Sequence, residues 1–269
     1  MDMNQHLLNI RKNIIKMVAN ANSGHLGGAL SAVEILTVLY FEIMNIDENN
    51  LNSFDRDRFV LSKGHASALL YAVLNERGLL QDDLLSYRML DSNLQGHPNM
   101  NLVAGVDMST GSLAQGLASA VGMAMANKLA NRNHRIYVLL GDGECEEGEV
   151  WEAAMAAAHY KLDNLCVIVD NNGLQISGNI ENVMNPLPLD EKFRSFGWNV
   201  NVVNDGHDIL KLKKAFDEAK KISNKPSIII AKTIKGKGIS FMENKVEWHG
   251  KTLDQKNYFQ ALNELERLS

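Results

Sequence analysis

Two hydrophobic rhythms run along this chain, one with a period near 3.6 and one of short unbroken apolar runs. Between residues 4 and 20, Leu7, Ile10, Ile14, Met17 and Val18 recur three or four apart, which predicts an amphipathic helix. The stretch Asn22-Ser23-Gly24-His25-Leu26-Gly27-Gly28 breaks it with glycines. Ser31 and Glu34 then form a capping-box pattern ahead of a helix running to about Met44. After an acidic, Asn-rich loop, Arg58-Phe59-Val60-Leu61-Ser62 reads as a buried strand that ends at Lys63-Gly64-His65. A helix follows from about Ala66 to Arg77. Residues 91–112 show no period and predict a long loop, a feature that in a compact chain usually serves a function. A helix rich in Gly, Ala and Met is expected from Leu113 to Ala130.

The second half alternates more regularly. Ile136-Tyr137-Val138-Leu139-Leu140 is a continuous apolar run, typical of a central parallel strand, and it stops at Gly141-Asp142-Gly143. An Ala-rich helix is predicted from about Glu149 to Tyr160. Leu165-Cys166-Val167-Ile168-Val169 is the next strand, ending at Asp170-Asn171-Asn172-Gly173. A strand from Trp198 to Val203, a helix from Ile209 to Lys221 and a strand from Ser227 to Ala231 come next. A basic, glycine-containing loop spans 232–238, and a polar helix closes the chain at about 252–268. Strands alternating with helices predict an α/β fold of three layers, α/β/α, with a mostly parallel sheet covered on both faces. No internal repeat, low-complexity tract or linker divides residues 1–269, so a single domain is expected.

Composition narrows the function classes. The chain has 269 residues, 45% hydrophobic and 22% charged, enough to bury a core without a metal or disulfide staple. A net charge of −5 lacks the footprint of a nucleic-acid binder. No apolar run approaches the roughly 18 residues of a membrane span. The start, MDMNQHLLNI, is not a secretory signal. Two cysteines, Cys145 and Cys166, cannot form a disulfide framework, and a cytoplasmic location is expected.

In a doubly wound sheet, ligands bind beyond the carboxyl ends of the strands. Asp142 closes one predicted strand and Asn172 follows the next, 30 positions later, about the length of one helix-and-strand unit. With the Leu174 carbonyl they offer hard oxygens, an incomplete octahedron that suits Mg²⁺ completed by phosphate and water. The glycines beside Asp142 admit a phosphate close to the backbone, and the next helix presents its N-terminus. Gly-Asp-Gly alone reads as a capped turn. A dinucleotide fingerprint would need glycine at residue 146, which is Glu. The acidic set Asp142, Glu144, Glu146, Glu147 and Glu149 either favours a helix N-terminus or repels a diphosphate unless a cation bridges them. Cys145, among these carboxylates, should be a poor nucleophile, and Cys166 reads as core. Five of the eight histidines adjoin glycine: His25, His65, His97, His207 and His249. Capping ahead of a helix accounts for His207, and His6, His134 and His159 read as surface or satisfied core residues. The Met- and Ala-rich helices read as close-packed core, with a subunit contact as the alternative.

The segment GDGECEEGEVWEAAMAAAHYKLDNLCVIVDNN resembles the thiamine-diphosphate-binding motif, which opens with Gly-Asp-Gly and closes with Asn-Asn. Nearly the whole chain is similar to the N-terminal, diphosphate-binding (PP-type) domain of transketolase. SGHLGGALS, RFVLSKGHAS, GHPN, STGSLAQGLASAVG, DGHD, KTIKGKGISFMEN and WHG carry the likeness in the family's order and spacing. The resemblance implies thiamine diphosphate with Mg²⁺, or Ca²⁺ or Mn²⁺. It implies Asp142, Asn172 and the Leu174 carbonyl as metal ligands, and Gly143, Asn172, His65 and His249 at the diphosphate. Gly111 and Leu113 would lie by the cofactor rings. His25, His97 and His249 would work near the reactive carbon, and Glu147 would sit at a subunit contact beside the cofactor. Ser112 departs from the Pro that many transketolases carry there, leaving the local loop geometry open.

Full-length transketolases are more than twice as long. The glutamate that activates the cofactor and the arginines that grip a sugar phosphate belong to domains absent here. The resemblance therefore implies the N-terminal subunit of a split transketolase. Its partner would carry the pyrimidine-binding and C-terminal domains, in an α₂β₂ assembly moving a two-carbon ketol unit between sugar phosphates. The polar helix before Ser269 suggests a natural end. A 2-oxo acid dehydrogenase E1 α-subunit, a deoxyxylulose-phosphate synthase, and a non-catalytic metal–phosphate binding subunit remain as alternatives.

Overall fold

The structure, a computed structural model, describes residues 2–267. Met1, Ser269 and the expected helix end at 268 lie outside the described residues. Helix α1 (Met3–Ala21) leads to α2 (Leu26–Leu30) and α3 (Val33–Val38), which runs on into a π-helical turn at Leu39–Ile43. Strand β1 (Arg58–Leu61) passes through one tight turn into α4 (Ser67–Glu76). An irregular stretch reaches α5 (Gln115–Leu129), followed by β2 (Ile136–Gly141), α6 (Gly148–His159) and β3 (Leu165–Asn171). A small hairpin, β4 (Leu174–Gln175) and β5 (Gly178–Asn179), and short helices α7 (Ile180–Val183) and α8 (Leu189–Ser195) come next. Then follow β6 (Asn199–Val203), α9 (Ile209–Lys220), β7 (Ser227–Lys232) and α10 (Gln255–Glu266).

Five strands form one sheet in the order β1-β2-β3-β7-β6, every pair parallel. The apolar runs of the central strands are explained by burial on both faces. Phe59, Leu139, Ile168 and Ile229 point to one core, shared with α1, α3, α4 and α9. Their neighbours Val60, Val138, Val167 and Ile228 point to the other, shared with α5, α6 and α8. This is the expected three-layer α/β/α arrangement. Among the described residues no helix is long and apolar enough to cross a membrane.

The capping box at Ser31 and Glu34 does not form. Helix α2 starts five residues earlier, at Leu26, and α3 starts after Ala32 with no side-chain cap. The Ser31 hydroxyl donates instead to the Gly28 carbonyl and to Asp170 Oδ2, and a carboxylate is the stronger acceptor. Glu34 pairs with Arg11 at 2.6 Å. Helix α5 begins later than expected because Ala114 is left-handed, with φ of 70° and its N–H held by Glu144 at 2.8 Å. Helix α9 is capped by Asp208, which accepts from the Leu210 and Lys211 amides, so capping does not account for His207.

Ile168 is fully buried at the centre of the sheet, whereas Leu210 on α9 is 78% exposed. Ile168→Ala should therefore lower unfolding free energy by about 3 kcal/mol. Leu210→Ala should change it by less than about 0.5 kcal/mol. Urea unfolding checks both, and near-equal effects would contradict the two-sided packing of the sheet.

Candidate cofactor site

Strand register sets the tips of β2, β3 and β7 side by side: Gly141 pairs with Asp170, and Asn171 with Lys232. These carboxyl ends open onto a cavity of about 260 Å³. Every predicted site residue except His97 and Glu147 lines it, with Lys63, Glu144, Gln175, Ile176 and Lys235 among the other lining residues. A larger cavity of about 460 Å³ lies at the amino ends of the strands. There Asp107 already satisfies Arg56 and Arg58, at 2.6–3.0 Å, leaving little free chemistry.

Two buried carboxylates stand at the tips. Asp142 accepts the Gly143 amide at 2.8 Å and the Gly173 amide at 2.5 Å, so it ties the β2 tip to the turn after β3. Burial and the nearby Asp170 push its carboxyl up to about 6, against the pull of those amides. Asp170 accepts from Lys63 Nζ at 2.5 Å, from Ser31, from Thr233 Oγ1 and from Asn172 Nδ2. Burial alone would raise its pKa, but Lys63 and the hydroxyls hold it below the usual carboxylate range. Asn172 Oδ1 accepts the Leu174 amide at 3.1 Å.

Opposite these, His25, His65 and His249 form a triangle with ring centroids 5.1–5.4 Å apart. Burial is the largest cause of a lowered pKa in each. His25 falls to about 4 and His249 to about 3, both also under Lys235, and His65 falls well below its ordinary value beside Lys63. All three are neutral at pH 7 and can each donate one N–H and accept at the other nitrogen. His25 Nδ1 is buried without a hydrogen-bond partner. Lys235 Nζ lies 2.9 Å from the Leu174 carbonyl and 3.1 Å from His249 Nδ1. Burial, with repulsion from Lys63, lowers its amine to about 8.

His97 is exposed and borders a shallow neighbouring pocket with Pro98, Asn99, Ser109 and Thr110. Its ring backs Gly111, where a Cβ would come within 3.4 Å of His97 Cγ. It still lies near enough to His25 to depress that imidazole. Glu147 is exposed ahead of α6 and does not reach the cavity. The acidic cluster read from the sequence is dispersed. Glu144 turns inward to Ser62, Ala114 and Gly141, and Glu146 meets Gln175 at 3.0 Å. Cys145 is a buried thiol pushed well up, by burial first and by Glu144 and Asp142 after it. The sequence reading gave no role to Lys63, Asp170 or Lys235. The signal was available: a lysine at a strand end, an acidic residue inside an apolar strand, and a basic loop after β7.

The donor chemistry fits both expected groups. Among the described residues no cluster of three or more His, Cys, Asp or Glu side chains is arranged around a metal position. The set on offer is mixed: the Asp142 carboxylate, the Asn172 amide oxygen and the Leu174 carbonyl. That all-oxygen character suits Mg²⁺ or Ca²⁺, which take their remaining ligands from phosphate and water. A cationic ammonium already rests on the Leu174 oxygen, so this corner attracts positive charge. Three neutral imidazoles, two lysines and the Gly143 backbone suit a polyanion beside it.

Comparison with known proteins agrees with the geometry. Residues 3–265 match the family model described as transketolase, thiamine diphosphate binding domain. The chain is 43% identical over 266 residues to the 6-deoxy-6-sulfo-D-fructose transketolase subunit SqwG of a Clostridium species, covering 98% of this chain and 96% of that one. It is 44% identical over 261 residues to an apulose-4-phosphate transketolase subunit of Actinobacillus succinogenes, covering 96% and 93%. The crystal structure of Campylobacter jejuni transketolase superposes with a TM-score of 0.91 at 37% identity, over 99% of this chain but 43% of the longer one. By sequence and by fold, the chain belongs to the transketolase family and corresponds to its thiamine-diphosphate-binding domain.

Proposed function

We propose that this transketolase-type subunit binds thiamine diphosphate through a divalent metal and completes its active site with a second polypeptide. The pair would move a two-carbon ketol unit from a ketose phosphate to an aldose phosphate in the cytoplasm. The observation that carries this reading is one cavity holding the Asp142–Asn172–Leu174 oxygen set against the triangle of His25, His65 and His249. Residues 1–269 would act as a single cofactor-binding domain.

Each residue's part follows from its chemistry. Asp142, Asn172 and the Leu174 carbonyl would hold Mg²⁺, and ionised Asp142 would lose the penalty that now raises its pKa. His65 and His249 would donate to the diphosphate, Gly143 would let it approach the backbone, and Lys63 and Lys235 would supply positive charge. Gly111 and Leu113 would flank the cofactor rings. His25, which lines the cavity, is suited to holding or passing a proton at a substrate hydroxyl, and His97 would stand farther out, behind Gly111. Bound thiamine diphosphate supplies the nucleophilic carbon and the electron sink needed to cleave the bond beside a ketone. Glu147, exposed at the start of α6, would meet a second subunit beside the cofactor.

The partner rests on size and on the relatives' names. Two relatives of nearly equal length are called transketolase subunits, whereas this chain spans 43% of the Campylobacter enzyme. The partner would carry the pyrimidine-binding and C-terminal domains, in an α₂β₂ assembly. Family membership also favours transketolase over the 2-oxo acid dehydrogenase and synthase alternatives.

Two outcomes are expected. Asp142→Ala should weaken thiamine diphosphate binding in Mg²⁺ by at least about 100-fold, because it removes the one carboxylate ligand. Calorimetry on the partnered enzyme reads this, and an unchanged affinity would remove Asp142 from the metal site. His25→Ala should lower kcat by about 100-fold or more while cofactor affinity moves less than about 3-fold, as expected of a proton-handling group. Equal losses in both would place His25 on the diphosphate.

A further inference from the structure

One buried polar cluster remains without a part in this scheme. His207, in the stretch Asp205-Gly206-His207-Asp208 ahead of α9, lies against α3 with Nδ1 3.0 Å from Glu34 Oε2. Its Nε2 accepts the Ile234 amide at 2.8 Å. An acceptor at Nε2 dictates the tautomer, so the neutral ring carries its proton on Nδ1 and donates it to Glu34. The other oxygen of Glu34 accepts from Arg11 Nη2 at 2.6 Å. Arg11 Nε donates in turn to the Lys237 carbonyl at 3.2 Å. Glu34 and Arg11 are both buried. Burial alone would raise the Glu34 pKa, but Arg11 and His207 hold it below the usual range, so the hub of the cluster is an ionised carboxylate.

Both ends of this chain of contacts close on one loop, residues 232–238. His207 grips it at the Ile234 amide and Arg11 at the Lys237 carbonyl. Between those two points lies Lys235, 2% exposed, whose ammonium reaches the Leu174 carbonyl and His249 in the cavity. The loop is also threaded closely against its surroundings. Gly236 is left-handed, with φ of 77°, and its amide donates to the Gly27 carbonyl at 3.0 Å. A Cβ on Gly27 would come within 3.0 Å of Lys235 Cγ, so the lysine stem passes directly over that glycine. A lysine side chain carries about 2 kcal/mol of rotamer entropy, so its direction depends on how firmly its backbone is held.

We propose that the Arg11–Glu34–His207 relay is a positioning device for the cofactor site, clamping loop 232–238 so that the Lys235 ammonium is aimed into the cavity. None of its three residues lines that cavity. The ligand they serve, a diphosphate, rests on the function proposed above, whereas the aim of Lys235 does not. A cluster that merely stabilised the packing of α1 on α3 would lower the melting point without altering what Lys235 does.

Two substitutions separate these roles. His207→Asn keeps a donor near the Nδ1 position but loses the acceptor for Ile234. His207→Gln reaches the Nε2 position and keeps that acceptor. The first readout is acylation of Lys235 by acetic anhydride in the full chain without ligand, followed by mass spectrometry. His207→Asn should raise the labelling rate about 10-fold or more, and His207→Gln should stay within about 3-fold of wild type. The second is affinity for thiamine diphosphate with Mg²⁺, in a cycle with Lys235→Ala. His207→Asn should weaken binding about 10-fold alone, as loss of an outer support does, and hardly further once Lys235 is gone. Unchanged Lys235 labelling in His207→Asn with a lowered melting point, or additive losses in the cycle, would overturn the proposal. Labelling as expected in a wild-type chain that binds no thiamine diphosphate, with or without a partner, would sink the diphosphate reading and leave the positioning role standing.

Discussion

Much of the site depends on one ionised carboxylate that has no access to water. Asp170 takes its donors from four segments: Lys63 after β1, Ser31 between α2 and α3, Asn172 after β3, and Thr233 after β7. A charge in so dry a place is tolerated only when paired and fully hydrogen-bonded, and taking away one partner of such a pair costs about 3–5 kcal/mol. The four segments are thus held to one point by the need to satisfy it. The same charge acts outward. It helps raise Asp142, and it offsets part of the burial that lowers Lys235. Together the two carboxylates favour positive charge at the strand tips, and both raise the Lys235 pKa.

Neutral histidines are what make this arrangement workable. Were all three imidazoles charged beside Lys63 and Lys235, five positive groups would crowd one small cavity. Burial prevents it by pulling every one of the three well below pH 7. The site then offers directional N–H groups without adding to the lysines' field. A polyanion can be oriented by imidazoles and neutralised by lysines and a metal, with separate groups for each task. Glu144 lines the same cavity, but its carboxylate is taken up by the Ser62 hydroxyl and the Ala114 and Gly141 amides, so it shapes the turn after β2.

The fold was largely legible in the sequence because its strongest signals are long-period ones. Unbroken apolar runs at Ile136–Leu140 and Leu165–Val169 fit only strands buried on both faces, and the helices between them require parallel pairing. Strand ends then located Asp142, Asn172 and His65 on one face, although Lys63 at the same strand end was given no role. Short local signals did worse. The Ser31–Glu34 spacing satisfies a capping rule, yet both side chains were claimed by partners 139 and 23 residues away, Asp170 and Arg11. A local rule cannot see such a competitor. His207 was assigned to a cap for the same reason, although Asp208 performs it and His207 serves Glu34 and Ile234. Glu147, read as a subunit contact beside the cofactor, faces solvent in the single chain, and His97, read near the reactive carbon, packs behind Gly111.

What the cavity still lacks argues for a second surface. A buried imidazole nitrogen without a partner, as at His25, is costly unless a ligand completes it. Ile176 lines the same cavity while remaining 71% exposed, an apolar wall left facing water. Charge stabilisation of the kind proposed here gains strength as water is excluded, because interactions weaken in a high dielectric. The chain concentrates its charges and imidazoles at the strand tips and leaves the rim open. A surface that covered Ile176 and brought a polar group to His25 would convert an anchoring site into a dry reaction chamber. Supplying that surface is the physical task that the proposed second polypeptide would perform.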